Sequence, residues 1–274
     1  MKWHWAQLRG GAARLGPGTS GRLGGGAGRR ASFERQARAV VEPWGGIAVV
    51  PAPAVAVPAA LPIEVPDGVS VRDAVALLAD GRTAIGLARV ADLDGGEIVI
   101  VEAAAGGVGT CLVQLARAAG ATVVACVGSP HKMEVVQRLG ADKVVDYSRG
   151  GWQDEIRGDL GPVDVVFDGV GGDIGRSSLT LLRAGGRFCQ YGMASGSFTQ
   201  IPSQRRDVQG LRGTVLTPAE SRDLSIEALR QAAAGQLVAT IGQEYPLERA
   251  SGAHAAIEDR STIGKTLLCV RAEA

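Results

Sequence analysis

The feature that most constrains the fold of this chain is a glycine-rich turn at residues 104–109, with the sequence AAGGVG. An apolar run at 98–101 comes shortly before it, and residues 107–119 follow with apolar side chains at helical spacing. A strand, a glycine-rich turn and a helix in this order are typical of a site that holds the diphosphate of a dinucleotide. We therefore predict a Rossmann-type dinucleotide-binding unit here, against the alternative of an ordinary tight turn without a ligand.

The residues of this turn have separate predicted roles. Gly106 lets the backbone approach a diphosphate closely, Gly107 eases the entry into the helix, and Gly109 lets the helix pack closely on the strand. Ala104 stands where the usual fingerprint has its first glycine, and Val108 completes the predicted binding set. The free N–H groups at the N-terminus of the helix are expected to bind the phosphate oxygens.

Strand and helix patterns alternate with regular spacing from residue 97 to residue 234. Runs such as VDVVF at 163–167 are almost continuously apolar, as expected of parallel strands that are buried on both faces. The predicted fold class is therefore α/β, a doubly wound parallel sheet of the Rossmann type. The predicted strands are 97–101, 122–127, 143–146, 163–168, 186–191 and 211–216, and the predicted helices are 107–119, 131–139, 151–157, 172–182 and 218–234.

Shorter patterns flank this region. Residues 47–50 are predicted as a strand, and 63–69 as an extended segment with a turn at 66–68. Ser70 is predicted to cap a helix that ends at Asp80, and a second helix is predicted around 83–90. One more helix within 247–270 and a closing strand at 265–270 complete the ordered pattern.

The end of the second predicted strand indicates which dinucleotide binds. Sites specific for NAD normally carry an acidic residue about 20 positions after the turn, bonded to the ribose 2′-hydroxyl. The strand here ends in Val127, Gly128 and Ser129 without a carboxylate, and Lys132 follows. A hydroxyl and an ammonium suit a 2′-phosphate, which needs donors and positive charge; a solvated helix residue is the alternative for Lys132. We therefore predict NADPH as the cofactor.

Composition argues against several other classes of protein. The formal net charge is +1, so no overall field attracts nucleic acid or an anionic membrane. The longest uncharged apolar run, 47–63, contains prolines at 51, 53, 58 and 62, and it is not predicted to cross a membrane. Cys111, Cys126, Cys189 and Cys269 are widely spaced, and no Cys/His cluster has metal-ligand spacing. We predict no metal site and a cytoplasmic location.

Residues 1–44 have a different composition from the rest of the chain. They form a Gly/Arg-rich leader in which basic residues far outnumber the two acidic ones, Glu34 and Glu42. No sustained strand or helix periodicity appears before about Ser32, and so we predict that this leader is disordered. The alternatives are a transit peptide or an arm that binds nucleic acid.

A series of short motifs follows in order along the chain. They are VEAAAGGVG at 101–109, QLAR at 114–117, GAD at 140–142, VDY at 145–147, VVFDGVG at 165–171, GGR at 185–187, YG at 191–192, YPL at 245–247 and GKT at 264–266. Together they resemble the medium-chain dehydrogenase/reductases, and within them the zinc-free quinone oxidoreductase branch. The resemblance covers roughly residues 45–270.

The resemblance implies roles around the cofactor for several residues. Thr83 matches a threonine near the nicotinamide ring, with helix capping as the alternative. Lys265 matches a position near the cofactor cleft, with an ordinary lysine at the start of a strand as the alternative. The remaining matched positions are Ser129, Lys132 and Tyr147 around the adenosine 2′-phosphate, and Gly169, Val170 and Tyr191 beside the nicotinamide half.

The resemblance also divides the chain into four predicted segments. They are the leader at 1–44, a remnant of a barrel-like catalytic domain at 45–80, an NADPH-binding Rossmann domain at 81–240, and a return to the catalytic domain at 241–274. Members of the family normally begin with a catalytic domain of over a hundred residues, which forms one wall of the substrate cleft. Only its tail is recognisable here, and a truncated gene, a shifted reading frame or a wrongly chosen start would explain this.

The activity implied by the resemblance is hydride transfer from NADPH to a small conjugated carbonyl acceptor, such as a quinone or an enone. No catalytic residue is identified, because His4, His131 and His254 are isolated and Asp168 is expected to bond the backbone rather than act as a base. The alternatives are an enoyl-thioester reductase, an inactive dinucleotide-binding remnant, or a protein whose basic leader contacts RNA. Family members commonly pair through an edge strand, which implies a homodimer through 211–216.

Overall fold

The computed structural model describes residues 39–40, 47–49, 62–212 and 216–270, the first two ranges as backbone only. The predicted leader lies outside the described residues except for Ala39 and Val40, which form a strand paired antiparallel with Ile63 and Glu64, so the prediction of disorder is wrong for these two residues. In chain order the elements are β1 (Ala39–Val40), β2 (Ile47–Val49), β3 (Ile63–Glu64), α1 (Val71–Ala91), β4 (Ile98–Glu102), α2 (Gly107–Ala118), β5 (Thr122–Val127), α3 (Met133–Arg138), β6 (Lys143–Asp146), α4 (Trp152–Leu160), β7 (Val163–Asp168), α5 (Gly172–Leu179), β8 (Leu182–Gln190), β9 (Gln209–Arg212), α6 (Pro218–Ala233), β10 (Ile241–Pro246), α7 (Ala250–Glu258) and β11 (Lys265–Cys269).

Six of the strands form one sheet in the order β6-β5-β4-β7-β8-β9, and all of its neighbouring strands are parallel. The chain first adds β5 and β6 on one side of β4, and it then returns to add β7, β8 and β9 on the other side. The strand order therefore reverses between β4 and β7. Both faces of the sheet are covered: two separate clusters of buried apolar side chains include alternate residues of β4, β5 and β7. The predicted doubly wound parallel sheet is confirmed.

A second sheet of three parallel strands, β10-β11-β2, lies beside the glycine-rich turn. Gly264, just before β11, pairs with Gly106, and its N–H donates to the carbonyl of Ala105 at 2.7 Å. Gly264 has φ +56, and a Cβ there would overlap the carbonyl oxygen of Thr240, so the approach of the two sheets requires glycine at this position. The C-terminal segment therefore contacts the predicted cofactor-binding turn directly.

The two helices predicted on either side of residue 81 are one continuous helix, α1. Ser70 caps it as predicted, since its hydroxyl accepts from the N–H of Asp73 at 3.0 Å. The predicted break at Asp80 is wrong because Gly81 serves packing and not termination: a Cβ there would lie 2.9 Å from the Cβ of Ala228 on α6. Thr83 consequently lies in the helix interior, which rules out the capping role considered for it.

Other predicted boundaries need smaller corrections. Strand β8 begins at Leu182, which pairs with Val163, and the predicted helix 172–182 therefore ends earlier, at Leu179. A register shift separates this pair from the next, Val165 with Arg187, and so the strand pattern was visible in the sequence only from residue 186. Strand β9 ends at Arg212, and residues 213–215 of the predicted strand lie outside the described residues. Strand β10, which is only half-buried, was not predicted.

Candidate functional site

The glycine-rich turn joins β4 to α2 at the carboxyl end of the large sheet. After the strand, Ala103 takes a left-handed conformation with φ +48, and the N–H of Ala104 donates to the carbonyl of Cys126 on β5 at 3.1 Å. The N–H of Gly106 then returns to the carbonyl of Ala103 at 2.8 Å, which closes the turn. The turn lies beside the point where the strand order reverses, the usual ligand site of an open parallel sheet.

Two of the glycines in the turn are required by close contacts. A Cβ on Gly109 would overlap the carbonyl oxygen of Ala103 and lie 2.8 Å from the Cα of Ala104, so this glycine lets α2 pack against the turn as predicted. A Cβ on Gly107 would overlap the carboxylate of Asp80. Gly107 therefore makes room for a side chain of α1, a constraint that the sequence pattern did not indicate.

The N-terminus of α2 offers donors to an anion. Its first intrahelical bond runs from the N–H of Thr110 to the carbonyl of Gly106 at 2.8 Å. The N–H groups of Gly107, Val108 and Gly109 precede that bond and are the ones a helix leaves for an external acceptor. A dinucleotide diphosphate fits this arrangement, because N–H groups at a helix N-terminus bind phosphate oxygens.

The three residues predicted near the adenosine 2′-phosphate lie together beyond the carboxyl ends of β5 and β6. Tyr147 packs its ring beside Gly128, where a Cβ would lie 3.0 Å from the phenol oxygen. Burial, chiefly, raises the pKa of Tyr147 to about 12, so the phenol is a hydrogen-bond donor at neutral pH. Ser129 is half-buried and precedes a short 3₁₀ turn, Pro130–Lys132, in which its side chain caps no N–H group.

A fourth residue at this corner, Arg260, was missed in the sequence. The Nζ of Lys132 donates to the carbonyl of Arg260 at 2.6 Å, and the Arg260 guanidinium donates to the carbonyl of Ala194 at 2.8 Å. Partial burial and the charge of Arg260 together lower the pKa of Lys132. Two cations are thus held close together, an arrangement that an anion between them would stabilise. Arg260 has φ +55 and lies in the loop after α7, far from the turn in sequence.

Lys265 is buried and forms an ion pair with Asp80 at 3.0 Å. The pair joins β11 to α1 next to Gly107, and so it ties the C-terminal segment to the glycine-rich turn. Burial raises the pKa of Asp80 despite the opposing charge of Lys265. Lys265 is the first residue of β11, as in the alternative considered for it, and its ammonium is held by Asp80.

The residues predicted near the nicotinamide lie at the ends of β7 and β8. The Oδ1 of Asp168 accepts from the N–H groups of Val170 at 3.1 Å and Gly171 at 2.6 Å, which is the backbone role favoured for it. The hydroxyl of Tyr191 donates to the carbonyl of Glu102 at 2.6 Å. A Cβ on Gly169 would overlap the Tyr191 hydroxyl, so the turn after β7 and the Tyr191 ring are closely packed.

Glu102 is the other residue that the sequence did not single out. It ends β4, is fully buried, and accepts a hydrogen bond from the hydroxyl of Ser178 on α5. Its signal in the sequence is a glutamate that directly follows the apolar run IVIV. That signal is easily taken for the polar end of a strand, because only the fold shows that Asp168 is its neighbour.

The structure leaves some predicted residues apart from these contacts. Thr83 is half-buried in the middle of α1. His131 lies in the 3₁₀ turn and is exposed, and His254 lies on α7 and is exposed. His4 lies outside the described residues.

Within residues 62–212 and 216–270, no group of three or more His, Cys, Asp or Glu side chains converges as a metal site needs. The described donors therefore do not fit a zinc ion. None of the helices in that part of the chain combines the length and apolarity needed to cross a bilayer.

Comparison with known proteins places these features in a family. Residues 107–231 match the family model described as zinc-binding dehydrogenase. The chain is 34% identical over 217 residues to quinone oxidoreductase-like protein 2 of Bos taurus, a match that covers 74% of this chain and 62% of that relative. The chain thus spans less than two thirds of the length of this relative.

Two solved structures share the fold. A mycobacterial protein complexed with NADPH is 32% identical, with a TM-score of 0.71 over 77% of this chain and 68% of that one. The CurK enoyl reductase is 28% identical, with a TM-score of 0.67 over 76% of this chain and 66% of that one.

Proposed function

Because this chain belongs to the zinc-binding dehydrogenase family, in the quinone oxidoreductase-like branch of the medium-chain dehydrogenase/reductases, we propose that it is an NADPH-dependent oxidoreductase. The choice of NADPH as the cofactor rests on the residues that lie beyond the carboxyl ends of β5 and β6. It lacks an acidic residue at the end of β5, and Lys132, Arg260 and Tyr147 lie close to one another there. The 2′-phosphate of NADPH would place a negatively charged group next to these hydrogen-bond donors and positive charges.

The remaining cofactor contacts follow from the same edge of the sheet. The N–H groups of Gly107, Val108 and Gly109 would hold the diphosphate, with Ala104 and Gly106 shaping the backbone around it. Gly169, Val170 and Tyr191 would flank the nicotinamide half, with Thr83 and Lys265 near the cleft. NADPH supplies a hydride from C4 of its ring, and the protein's part is to orient that ring and exclude water.

The substrate that we propose is a small conjugated carbonyl compound, a quinone or an enone. The bovine relative supports this class by its name, quinone oxidoreductase-like protein 2. A conjugated acceptor suits hydride transfer, since it spreads the developing negative charge onto its own oxygen.

The domain arrangement and the partners are part of the same proposal. The proposed cofactor domain is 81–240, with 45–80 and 241–274 in the catalytic wall; α1 (Val71–Ala91) crosses the boundary at residue 80 and is shared between the two. We propose that two copies pair along β9, the edge strand of the large sheet, and that the protein works in the cytoplasm on small molecules and not on nucleic acid or membranes. Size-exclusion chromatography with light scattering tests the pairing: a monomer at micromolar concentration contradicts it.

Titration of NADPH and NADH against protein fluorescence tests the cofactor assignment. Each charge-assisted hydrogen bond to the 2′-phosphate is worth about 1.5–3 kcal/mol, so NADPH is expected to bind at least on the order of tenfold more tightly than NADH. Equal affinities would contradict the assignment of NADPH, and no binding of either would remove every function that uses the cofactor.

NADPH oxidation with a panel of quinones and enones then tests the reaction. An enoyl-thioester reductase is the second candidate, supported by the structural similarity to an enoyl reductase, and crotonyl thioesters belong in the same panel. Turnover of thioesters alone favours that candidate. Tight NADPH binding without turnover of any acceptor favours an inactive cofactor-binding protein, and RNA retention by the full chain at physiological salt favours the RNA-binding alternative.

A further inference from the structure

Two carboxyl groups meet at the centre of the sheet's carboxyl end. Glu102 is the last residue of β4, Asp168 is the last residue of β7, and these strands are neighbours. Both side chains are fully buried, and the register of the two strands, in which Val101 pairs with Phe167, places Glu102 opposite Asp168. They occupy the point where the strand order reverses, directly beneath the turn at 169–171.

Each carboxyl has one oxygen with a donor and one without. Ser178 donates to Oε1 of Glu102, and the Val170 and Gly171 N–H groups donate to Oδ1 of Asp168. The other two oxygens, Oε2 of Glu102 and Oδ2 of Asp168, are buried and have no hydrogen-bond partner among the described residues. Two bare carboxylate oxygens side by side in a buried place repel each other and lack solvation, and a single proton between them removes both penalties.

We propose that Glu102 and Asp168 share one proton, held on Oε2 of Glu102 and donated to Oδ2 of Asp168, and that this bond positions the turn at 169–171 beside the nicotinamide end of the cleft. The shared proton stands on the geometry alone. The effect on the nicotinamide end rests on the proposed function, because it requires NADPH to lie in that cleft.

The surroundings of Glu102 favour the neutral acid. Burial, followed by the charge and hydrogen bond of Asp168, raises the pKa of Glu102 well above its ordinary value of 4.5, and the hydrogen bond from Ser178 opposes this only in part. The other titratable groups near it are Cys126 on β5, Tyr147 after β6 and Tyr191 after β8, whose own pKa values are all raised. No lysine or arginine is among the groups whose charge acts on Glu102.

Glu102 also holds the ring of Tyr191, which follows β8 at the nicotinamide end. Its carbonyl accepts from the hydroxyl of Tyr191 at 2.6 Å, while its side chain bonds Asp168, whose other oxygen accepts from Val170 and Gly171. One residue of β4 therefore fixes both the turn after β7 and the ring after β8. Glu102 is a positioning residue in this proposal and takes no part in the chemistry.

The pH dependence of unfolding tests the shared proton. A group with a raised pKa in the folded state contributes stability that is complete below pH 4.5 and is lost as the pH rises toward that raised pKa. Glu102→Gln donates an amide N–H in place of the proton and cannot lose it. The folding equilibrium constant of the wild type, relative to Glu102→Gln, is therefore expected to fall as the pH rises from 5, by up to about tenfold per pH unit, until the raised pKa is passed. A ratio that does not change with pH overturns the proposal.

Urea unfolding of the full chain at pH 5, 6, 7 and 8 gives this ratio, and Asp164→Asn is the matched control. Asp164 lies near the opposite end of β7, and its pKa is lowered, because hydrogen bonds from the Ile98 N–H and from Arg183 outweigh its burial. The folding equilibrium constant of the wild type relative to Asp164→Asn is therefore expected to stay constant above pH 5. A falling ratio for both variants would show that the slope is not specific to Glu102.

A measurement on the wild type keeps the test valid if Glu102→Gln does not fold. Infrared spectra of the chain with ¹³C-carboxyl-labelled glutamate at pH 7 should contain the C=O stretch of a protonated glutamate. Its absence overturns the shared proton.

NADPH titration separates this inference from the proposed function. Glu102→Gln is expected to keep the NADPH dissociation constant within about twofold, because the amide preserves the bond to Asp168, whereas Glu102→Leu leaves Asp168 unpaired and should weaken binding about tenfold. Equal affinities for the Gln and Leu variants overturn the positioning role. No NADPH binding by the wild type, together with the expected pH dependence of unfolding, would refute the proposed function and leave the shared proton standing.

Discussion

The two ends of the central strands β4 and β7 hold their acidic residues in opposite ways. At the amino end, Glu97 pairs with Arg187 and Asp164 pairs with Arg183. Arg187 also donates to the carbonyls of Ala91 and Asp92, so that it joins the end of α1 to the sheet. Each acid at this end has a cation, and the network connects elements that must stay together for the fold to persist.

At the carboxyl end, Glu102 and Asp168 are buried against each other without a cation. The same end contains the close turn at 103–109 and the free N–H groups of α2. Buried acids without a cation and unused donors both reduce stability. Their concentration at one end indicates that this end is organised for a ligand and the other for the fold. The predictions below test that division.

The largest effect is expected at the glycine-rich turn. Gly109→Ala places a Cβ against the carbonyl of Ala103, and relief of this overlap must shift α2 or the turn. We expect the overlap to destabilise the fold by about 1–3 kcal/mol, and the displaced turn to weaken NADPH binding by at least about tenfold. Gly95→Ala at the amino end is the control, because its Cβ would lie an ordinary 3.6 Å from the carbonyl of Ala119. A comparable loss of NADPH binding in both variants would contradict the claim that the carboxyl end of the sheet binds the ligand and the amino end does not.

Lys132→Ala tests the discrimination between dinucleotides. Removal of one cation from the proposed 2′-phosphate site should weaken NADPH binding by about 10- to 150-fold, the worth of one charge-assisted hydrogen bond, and leave NADH binding unchanged. Lys143→Ala is the control, since Lys143 begins β6 at the amino end and pairs there with Glu155 and Asp159. Parallel fluorescence titrations with both cofactors decide this. An equal loss for NADPH and NADH would place Lys132 elsewhere than at the 2′-phosphate.

Arg187→Met should affect stability and not binding. The side chain loses two bonds to backbone carbonyls and its partner Glu97 within a half-buried region, and we expect unfolding to become easier by about 2 kcal/mol. The NADPH dissociation constant should stay within about twofold. Arg176→Met removes an exposed pair with Asp173 and should change neither quantity measurably. Weakened NADPH binding by Arg187→Met in a folded protein would contradict the proposed role of the amino end.

Asp164→Asn should show the smallest effect, and one confined to low pH. The pKa of Asp164 is lowered in the fold, so its contribution is present above its ordinary value of 3.8 and is lost as the pH falls through the lowered value. We expect the variant to be about 1 kcal/mol less stable at pH 7, and the difference to shrink below pH 4. A difference that persists unchanged at pH 3 in urea unfolding would mean that the charge of Asp164 is not what stabilises this end.

The sequence predicted most reliably the parts that depend on neighbouring residues. Strands β5, β6 and β7 match the predicted ranges residue for residue, because each is an apolar run with polar or glycine boundaries. The glycine-rich turn was predicted for the same reason. The break at Asp80 was wrong because the partner that requires Gly81 is Ala228, which is distant in sequence.

The contacts around the site depended on the fold in the same way. Arg260 reaches Lys132, and Lys265 reaches Asp80, only because β10, β11 and their loops fold back onto the large sheet. A local pattern cannot indicate such pairs, since each partner alone is an ordinary charged residue. Glu102 is the clearest case: its burial against another acid becomes visible only when β4 and β7 are neighbours.

Hydrogen–deuterium exchange with and without NADPH tests most directly the claim that the cofactor binds at the carboxyl end. Bound cofactor is expected to slow exchange at 104–110, 128–132 and 169–171, where the unused N–H groups and the turns lie, and to leave 92–97 and 161–164 unchanged. Slower exchange at the amino-end segments, or no change at the glycine-rich turn under saturating NADPH, would contradict the account.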